Sequence, residues 1–143
     1  MARCLNSSAM QHPKAHVRLD LSAALSIGPG KISLLEAIAR SGSLSAAARE
    51  LDMSYRRAWL LLHSINEGFE EPVVVLNAGG KEGGGSRLTS FGETLVRRYR
   101  NFQAAVQTLA VRDFADLPVS AHAGANAAES RSTRRRLPPS RRG

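Results

Sequence analysis

Apolar positions along this chain change their spacing several times, and each change marks a predicted element. Val17-Arg18-Leu19-Asp20-Leu21 alternates apolar and polar residues with period two, the pattern of a short strand with one buried face. Gly28-Pro29-Gly30 then breaks the chain, and from Lys31 to Arg40 the residues Leu34, Leu35, Ile38 and Ala39 fall on one helical face. Ser41-Gly42 ends that helix, glycine being common just past a C-terminus. Ser43 is placed to cap the next helix, where Leu44, Ala47, Ala48 and Leu51 recur at i, i+3, i+4 and i+7 and three successive alanines allow close helix approach. Asp52-Met53-Ser54 makes a tight connection, with Ser54 capping a third helix whose buried stripe is Ala58, Leu62, Ile65 and Phe69. Trp59 is expected in the core beside that stripe.

Beyond Pro72 the period returns to that of a strand. Val73-Val74-Val75-Leu76 is β-branched, a Gly-rich stretch runs from Asn77 to Ser86, and Arg87-Leu88 forms a short return strand, so a hairpin follows the third helix directly. Thr89 caps a final helix in which Phe91, Leu95, Tyr99, Phe102, Val106 and Leu109 alternate spacings of three and four. That seam is wider than one small domain needs, which predicts that Leu95, Tyr99, Phe102, Val106 and Leu109 pair with a second copy in a homodimer. The predicted fold is mainly α with a small β-hairpin, a winged helix-turn-helix followed by a long dimerisation helix. Its expected organisation is a disordered segment over 1–16, the folded domain over 17–116 and a disordered Arg-rich tail over 117–143, because the two ends lack apolar periodicity.

Charge changes this picture less than its total suggests. The formal net charge is +8, but from Ile27 to Asp116 there are 11 basic and 10 acidic residues, a net of +1; Leu117 to Gly143 holds six Arg against Glu129, a net of +5, leaving +2 before Ile27. Bulk basicity therefore says little about the fold, and individual sites carry the argument. In the helix-turn-helix pattern the second helix enters the major groove, where Arg bonds bidentately to guanine and hydroxyls reach phosphates or base edges. This points to Ser54, Tyr55, Arg56, Arg57 and Leu60 on the third helix, Ser43 and Ser45 at the start of the second, and Lys81 and Arg87 on the wing beside phosphates. The partner implied is double-stranded DNA.

Other chemistries fare worse. Lys81 is followed by Glu82 within a hairpin, so the glycines around it do not form a phosphate-binding loop opening a helix. His12, His16, His63 and His122 are scattered, and Glu70 and Glu71 are adjacent and so diverge, giving neither paired catalytic groups nor a metal set. A single cysteine, Cys4, supports no disulfide framework, and no apolar run reaches the ~18 residues that span a bilayer. A cytoplasmic non-enzyme with no cofactor and no membrane partner is expected. A winged-helix module that binds protein, with the Arg tail attaching loosely to polyanions, is the alternative.

Taken in order, Lys31-Ile32-Ser33-Leu34-Leu35, Ile38-Ala39-Arg40-Ser41-Gly42-Ser43, Ser54-Tyr55-Arg56-Arg57-Ala58-Trp59, and Gly79-Gly80-Lys81 with Gly83-Gly84-Gly85 before Leu88-Thr89 form a recognisable series. It resembles the N-terminal domain of ModE-type molybdate-responsive regulators and, more distantly, the DNA-binding domains of LysR-type regulators, over about Val17 to Val106. The resemblance implies a homodimeric winged-helix domain that regulates transcription, often of genes for molybdate uptake or molybdoenzymes. Family members that sense molybdate do so through separate C-terminal oxyanion-binding modules, whereas an Arg-rich tail follows the last helix here. The expectation is a stand-alone DNA-binding half that does not itself bind molybdate.

Overall fold

The computed structural model describes residues 12–77 and 85–120. Three helices form the centre: α1 (Pro29–Ser41), α2 (Leu44–Glu50) and α3 (Tyr55–Gly68). A two-residue ribbon, β1 (Leu19–Asp20) antiparallel to β2 (Ser26–Ile27), precedes them, and the hairpin β3 (Val74–Leu76) with β4 (Ser86–Leu88) follows. The chain then enters α4 (Ser90–Phe114), 25 residues long. The architecture is the winged helix-turn-helix that the periodicity predicts, with its long terminal helix. The fine differences have local causes. Leu19–Asp20 pairs over a shorter stretch than 17–21, and β2 leaves no periodic trace because two residues show no period at all.

Local signals account for the helix boundaries. Pro29 opens α1, where its fixed φ suits the first turn and its missing N–H is not needed. Gly42 closes it at φ 73°, a left-handed conformation that lets its N–H bond the Ile38 carbonyl at 2.8 Å. Ser43, Ser54 and Thr89 cap α2, α3 and α4, their hydroxyl oxygens accepting from the N–H groups of Ala46, Arg57 and Gly92 at 3.0, 3.1 and 3.0 Å. The α2–α3 turn is a Schellman motif built on Asp52. The Met53 N–H bonds the Ala48 carbonyl, the Asp52 N–H bonds the Arg49 carbonyl, and Asp52 carries a φ of 54° that is usually glycine's.

The core fills the space between these helices. Ile32, Leu34, Leu35, Ala37 and Ile38 of α1 are all buried, because α2, α3, β4 and α4 pack around this one helix. Ile32 and Ala37 therefore join the predicted face, and Ala39, predicted inside, is exposed. From the neighbouring helices come Leu44, Ala47 and Ala48, then Ala58, Leu62 and Ile65, with Val73 and Val74 of the wing and Tyr99 of α4. Each fully buried Ile or Leu in this set contributes about 1.5–3 kcal/mol of transfer free energy.

Two side chains fix the wing and the last helix to this centre. The Asn66 amide oxygen accepts from the Val73 and Val74 N–H groups at 2.9 and 3.1 Å, and its nitrogen donates to the Val74 carbonyl at 2.9 Å. One side chain on α3 thus satisfies three backbone groups at the start of β3. Asn66→Ala should lower stability by about 2–4 kcal/mol, since three backbone groups of the buried Val73 and Val74 each lose a partner. Hydrogen exchange at the Val73 and Val74 amides should accelerate beyond the global change, and exchange no faster than at Ile65 would refute the bracket. On the other side, Arg100 of α4 forks onto Glu36 of α1 through Nε–Oε1 at 2.7 Å and Nη2–Oε2 at 2.6 Å.

That fork holds the Glu36 carboxyl below the ordinary carboxylate range, chiefly through the Arg100 hydrogen bonds and against the opposing effect of burial. A carboxyl whose value is lowered by folding stabilises the fold above its unfolded value, and the contribution disappears as pH falls through the lowered value. Arg100 is 38% exposed, so solvent screening keeps the effect modest. Urea midpoints should therefore fall on acidification less steeply in Glu36→Gln than in the parent; parallel curves would remove Glu36 from the acid response.

The N-terminal segment departs from expectation. Residues 12–17, expected to be disordered as far as His16, lie extended along α4. The Gln107 amide clasps them, its oxygen accepting from the Ala15 N–H and its nitrogen donating to the Pro13 carbonyl, and the Tyr99 hydroxyl donates to the Val17 carbonyl at 2.7 Å. Composition could not reveal this, because the partners lie more than 80 residues away. Residues 117–120 are described without regular structure, and the rest of the tail lies outside the described residues.

Candidate nucleic-acid interface

The exposed surface of α2, α3 and the wing collects most of the predicted contact residues. Ser45 is exposed in the first turn of α2, and Ser43 and Ser54 are occupied as caps, each with its hydroxyl proton still available to donate. Tyr55, Arg56, Arg57 and Leu60 are all exposed on α3, because Ala58, Leu62 and Ile65 turn the opposite side into the core. Arg87 is exposed on β4. Lys81 lies outside the described residues, with the rest of 78–84 at the wing tip.

Charge pairing distinguishes these cations from four others. Arg18, Arg40, Arg100 and Arg112 each bond a carboxylate, of Asp20, Glu50, Glu36 and Asp113 respectively. Among the described residues Arg56, Arg57 and Arg87 have no side-chain partner. Arg56 and Arg57 also sit at the wrong end of a helix. The first turn of α3 carries the positive end of the helix dipole and no acidic residue, so each cation there costs about 0.3–1 kcal/mol by its position. A local rule broken without an internal compensation is what functional or strained sites show.

The wing is set against α3 by the Asn66 bracket and against the α1–α2 turn by the Ser86 N–H, which bonds the Gly42 carbonyl at 2.8 Å. Between Ser45 and Tyr55 on one side and Leu76, Asn77, Gly85 and Ser86 on the other lies a notch of about 250 Å³. Sequence reasoning missed two features here. Asn66 gave no signal, being an ordinary polar residue on a helix. Trp59, expected in the core, is 42% exposed and stacks on His63, with ring centroids 4.9 Å apart and planes inclined by 11°. The reason is register: Ala58 takes the core position, and the indole is carried one residue further round.

The predicted pairing surface of α4 is divided. Tyr99 is only 3% exposed and belongs to its own core, since its hydroxyl is held by Val17, so assigning it to dimerisation is corrected. Leu95 packs against that core and Val106 is half-buried, leaving Phe102 and Leu109 exposed at 46% and 47%. Beside them Leu19, Leu21, Phe69, Phe91 and Phe102 line an apolar cleft of about 440 Å³. Among the described residues no group of His, Cys, Asp or Glu could hold a metal ion, and no helix is long and apolar enough to cross a membrane.

Residues 30–93, from α1 through the wing into the first turn of α4, match the bacterial regulatory helix-turn-helix proteins of the lysR family. Over these residues the chain is similar to the LysR-type helix-turn-helix. It is also similar to the molybdenum transport protein ModE of Azotobacter vinelandii, 38% identical over 102 residues that cover 68% of this chain and 38% of that protein. The molybdenum-pterin-binding protein MopB of Rhodobacter capsulatus is 45% identical over 83 residues, 58% of this chain and 31% of its own length. The DNA-binding transcriptional dual regulator ModE of Escherichia coli strain K12 is 41% identical over 81 residues, 57% of this chain and 31% of that regulator. The ModE-type resemblance read from the ordered motifs thus holds, and the chain spans about a third of the length of these relatives. Within the LysR-type match fall the caps Ser43 and Ser54, the Tyr55-Arg56-Arg57 turn and Arg87.

Proposed function

We propose that this chain is a sequence-specific DNA-binding transcriptional regulator. In this reading α3 enters the major groove with Tyr55, Arg56, Arg57 and Leu60 toward base edges, Ser43, Ser45 and Ser54 toward phosphates, and Lys81 and Arg87 of the wing on the flanking backbone. The observation that carries it is the pair Arg56 and Arg57, exposed, without partners among the described residues, and placed at the positive end of α3. Two copies pair through Phe102 and Leu109, with Leu95 and Val106 at the margin, and present their α3 helices to successive turns of a palindromic site. Molybdenum, named in two of the relatives, belongs to those proteins; the reading for this chain concerns the DNA-binding domain.

The test compares the intact chain with Arg56→Ala/Arg57→Ala on duplexes selected from a random library by the intact chain, against random-sequence duplexes. Binding that stays equally selective in the double variant would reject these residues as the readers. Light scattering on the intact chain and on Phe102→Asp/Leu109→Asp checks the dimer. A dimer that becomes a monomer in the variant is expected, and a parent that is monomeric at micromolar concentration refutes the pairing.

A further inference from the structure

We propose that Trp59 is a DNA-backbone contact, its indole N–H donating to a phosphate oxygen while its ring packs on the adjoining sugar, with His63 a positioning residue that holds the indole in place. The inference rests on the DNA-binding reading above and adds to the contact residues one that the sequence pattern places in the core.

Placement is the first argument. Trp59 lies one turn beyond Tyr55 and seven residues before Asn66, so by helical spacing all three occupy nearly the same flank of α3. Both neighbours on that flank meet the wing. Tyr55 shares the notch with Leu76, Asn77, Gly85 and Ser86, and Asn66 bonds Val73 and Val74. Trp59 therefore lies between them along α3, on the flank whose neighbouring side chains meet the wing. With α3 in the major groove and the wing on the flanking backbone, the strand joining the two passes beside this flank.

Chemistry is the second. An indole carries one donor, and buried indoles find it a partner; the Trp59 side chain is 42% exposed and its N–H has no partner among the described residues. An exposed tryptophan is also a large apolar surface without an internal use. Stacking on His63, whose Nε2 lies 3.2 Å from Glu67 Oε1, braces the ring into one orientation along the helix. A braced flat group with one unpartnered donor, on the helix that carries the unpaired Arg56 and Arg57, suits a sugar-phosphate chain: one acceptor for the N–H and an apolar ribose edge for the ring. Because phosphates carry no sequence information, such a contact adds affinity without selectivity.

Trp59 is the only tryptophan in the chain, so its emission reports this one position. The experiment titrates the full chain with a random-sequence duplex of about three helical turns, long enough for two half-sites. It follows duplex anisotropy and tryptophan emission together, with acrylamide quenching before and after saturation. On binding, emission should change and acrylamide access should fall at least twofold. Trp59→Phe, which keeps a ring and loses the donor, should weaken binding about tenfold, the effect of one hydrogen bond to a charged group, alike on random and selected duplexes and with the melting temperature unchanged. His63→Ala should weaken binding less and raise acrylamide access in the free protein. A rise in anisotropy with unchanged emission and quenching, or an undiminished affinity in Trp59→Phe, overturns the assignment of Trp59 alone. No anisotropy change with any duplex overturns the DNA reading and this inference with it.

Discussion

Gly92→Ala should lower the melting temperature by roughly 10–25 °C, opposite in sign to what helix propensity predicts. In an ordinary helix the exchange gains about 0.5–1 kcal/mol, because glycine loses more backbone freedom on folding. Gly92 lies in the first turn of α4, and a Cβ there would stand 2.3 Å from the Val73 carbonyl oxygen and 3.2 Å from its carbon and Cγ1. Backbone has to move. That oxygen is also the acceptor for the Thr89 N–H at 3.0 Å and the Thr89 hydroxyl at 3.2 Å, and Thr89 is the cap of α4. Displacing it separates the wing from the last helix and opens the cap together. Overpacking costs about 1–3 kcal/mol and the loosened hydrogen bonds about 1 more, and in a domain of this size each kcal/mol shifts melting by about 4–8 °C. Thermal denaturation followed by circular dichroism decides the matter: an alanine variant melting at or above the parent would show that α4 is not seated against Val73.

The second large effect concerns recognition. Each Arg that bonds guanine bidentately discriminates against the wrong base by about 1–3 kcal/mol, so losing both Arg56 and Arg57 should cut the preference for selected over random duplexes by a factor of roughly thirty or more. Stability should hold or rise slightly, since two unpaired cations leave the positive end of α3. Removal of the residues after Leu117 provides the contrast. That segment holds six Arg and one Glu, so its loss should weaken binding to every sequence alike and flatten the dependence on salt, leaving the preference intact. A preference lost with the tail and kept without the two arginines would instead favour the reading in which the winged domain binds protein and the tail supplies affinity for polyanions.

Much of this fold is legible along the chain because its signals are local. Gly42, Ser43, Ser54 and Thr89 set helix boundaries through backbone groups no more than four residues away, whereas Pro29, read as part of a break before Lys31, opens α1; the period of the apolar positions gives each helix its buried face. The turn at Tyr55-Arg56-Arg57 was readable for the same reason: a cap fixes where α3 begins, and Ala58, Leu62 and Ile65 fix which side of it faces solvent. Even the near-neutral charge of the folded part told against bulk basicity and directed attention to particular side chains.

What distinguishes this domain from a generic bundle of capped helices was decided by partners far apart in sequence. Trp59 is apolar and adjacent to the core stripe, yet the alanine at 58 fills the core position and the indole is left exposed, stacked on His63. Asn66 became the bracket for β3, Gln107 the clasp for residues 13–15, and Tyr99 a buried anchor for Val17 where a dimer contact was expected. None of these roles has a sequence period, because each joins a side chain on a regular helix to backbone that has no regular neighbour. The sequence by itself determined the helices, their caps and the side each turns outward, since those follow from hydrogen bonds and burial within a few residues. Only the tertiary structure decided how the wing, the last helix and the N-terminal segment are held against them, since unpaired backbone groups take whichever side chain the packed fold brings within reach.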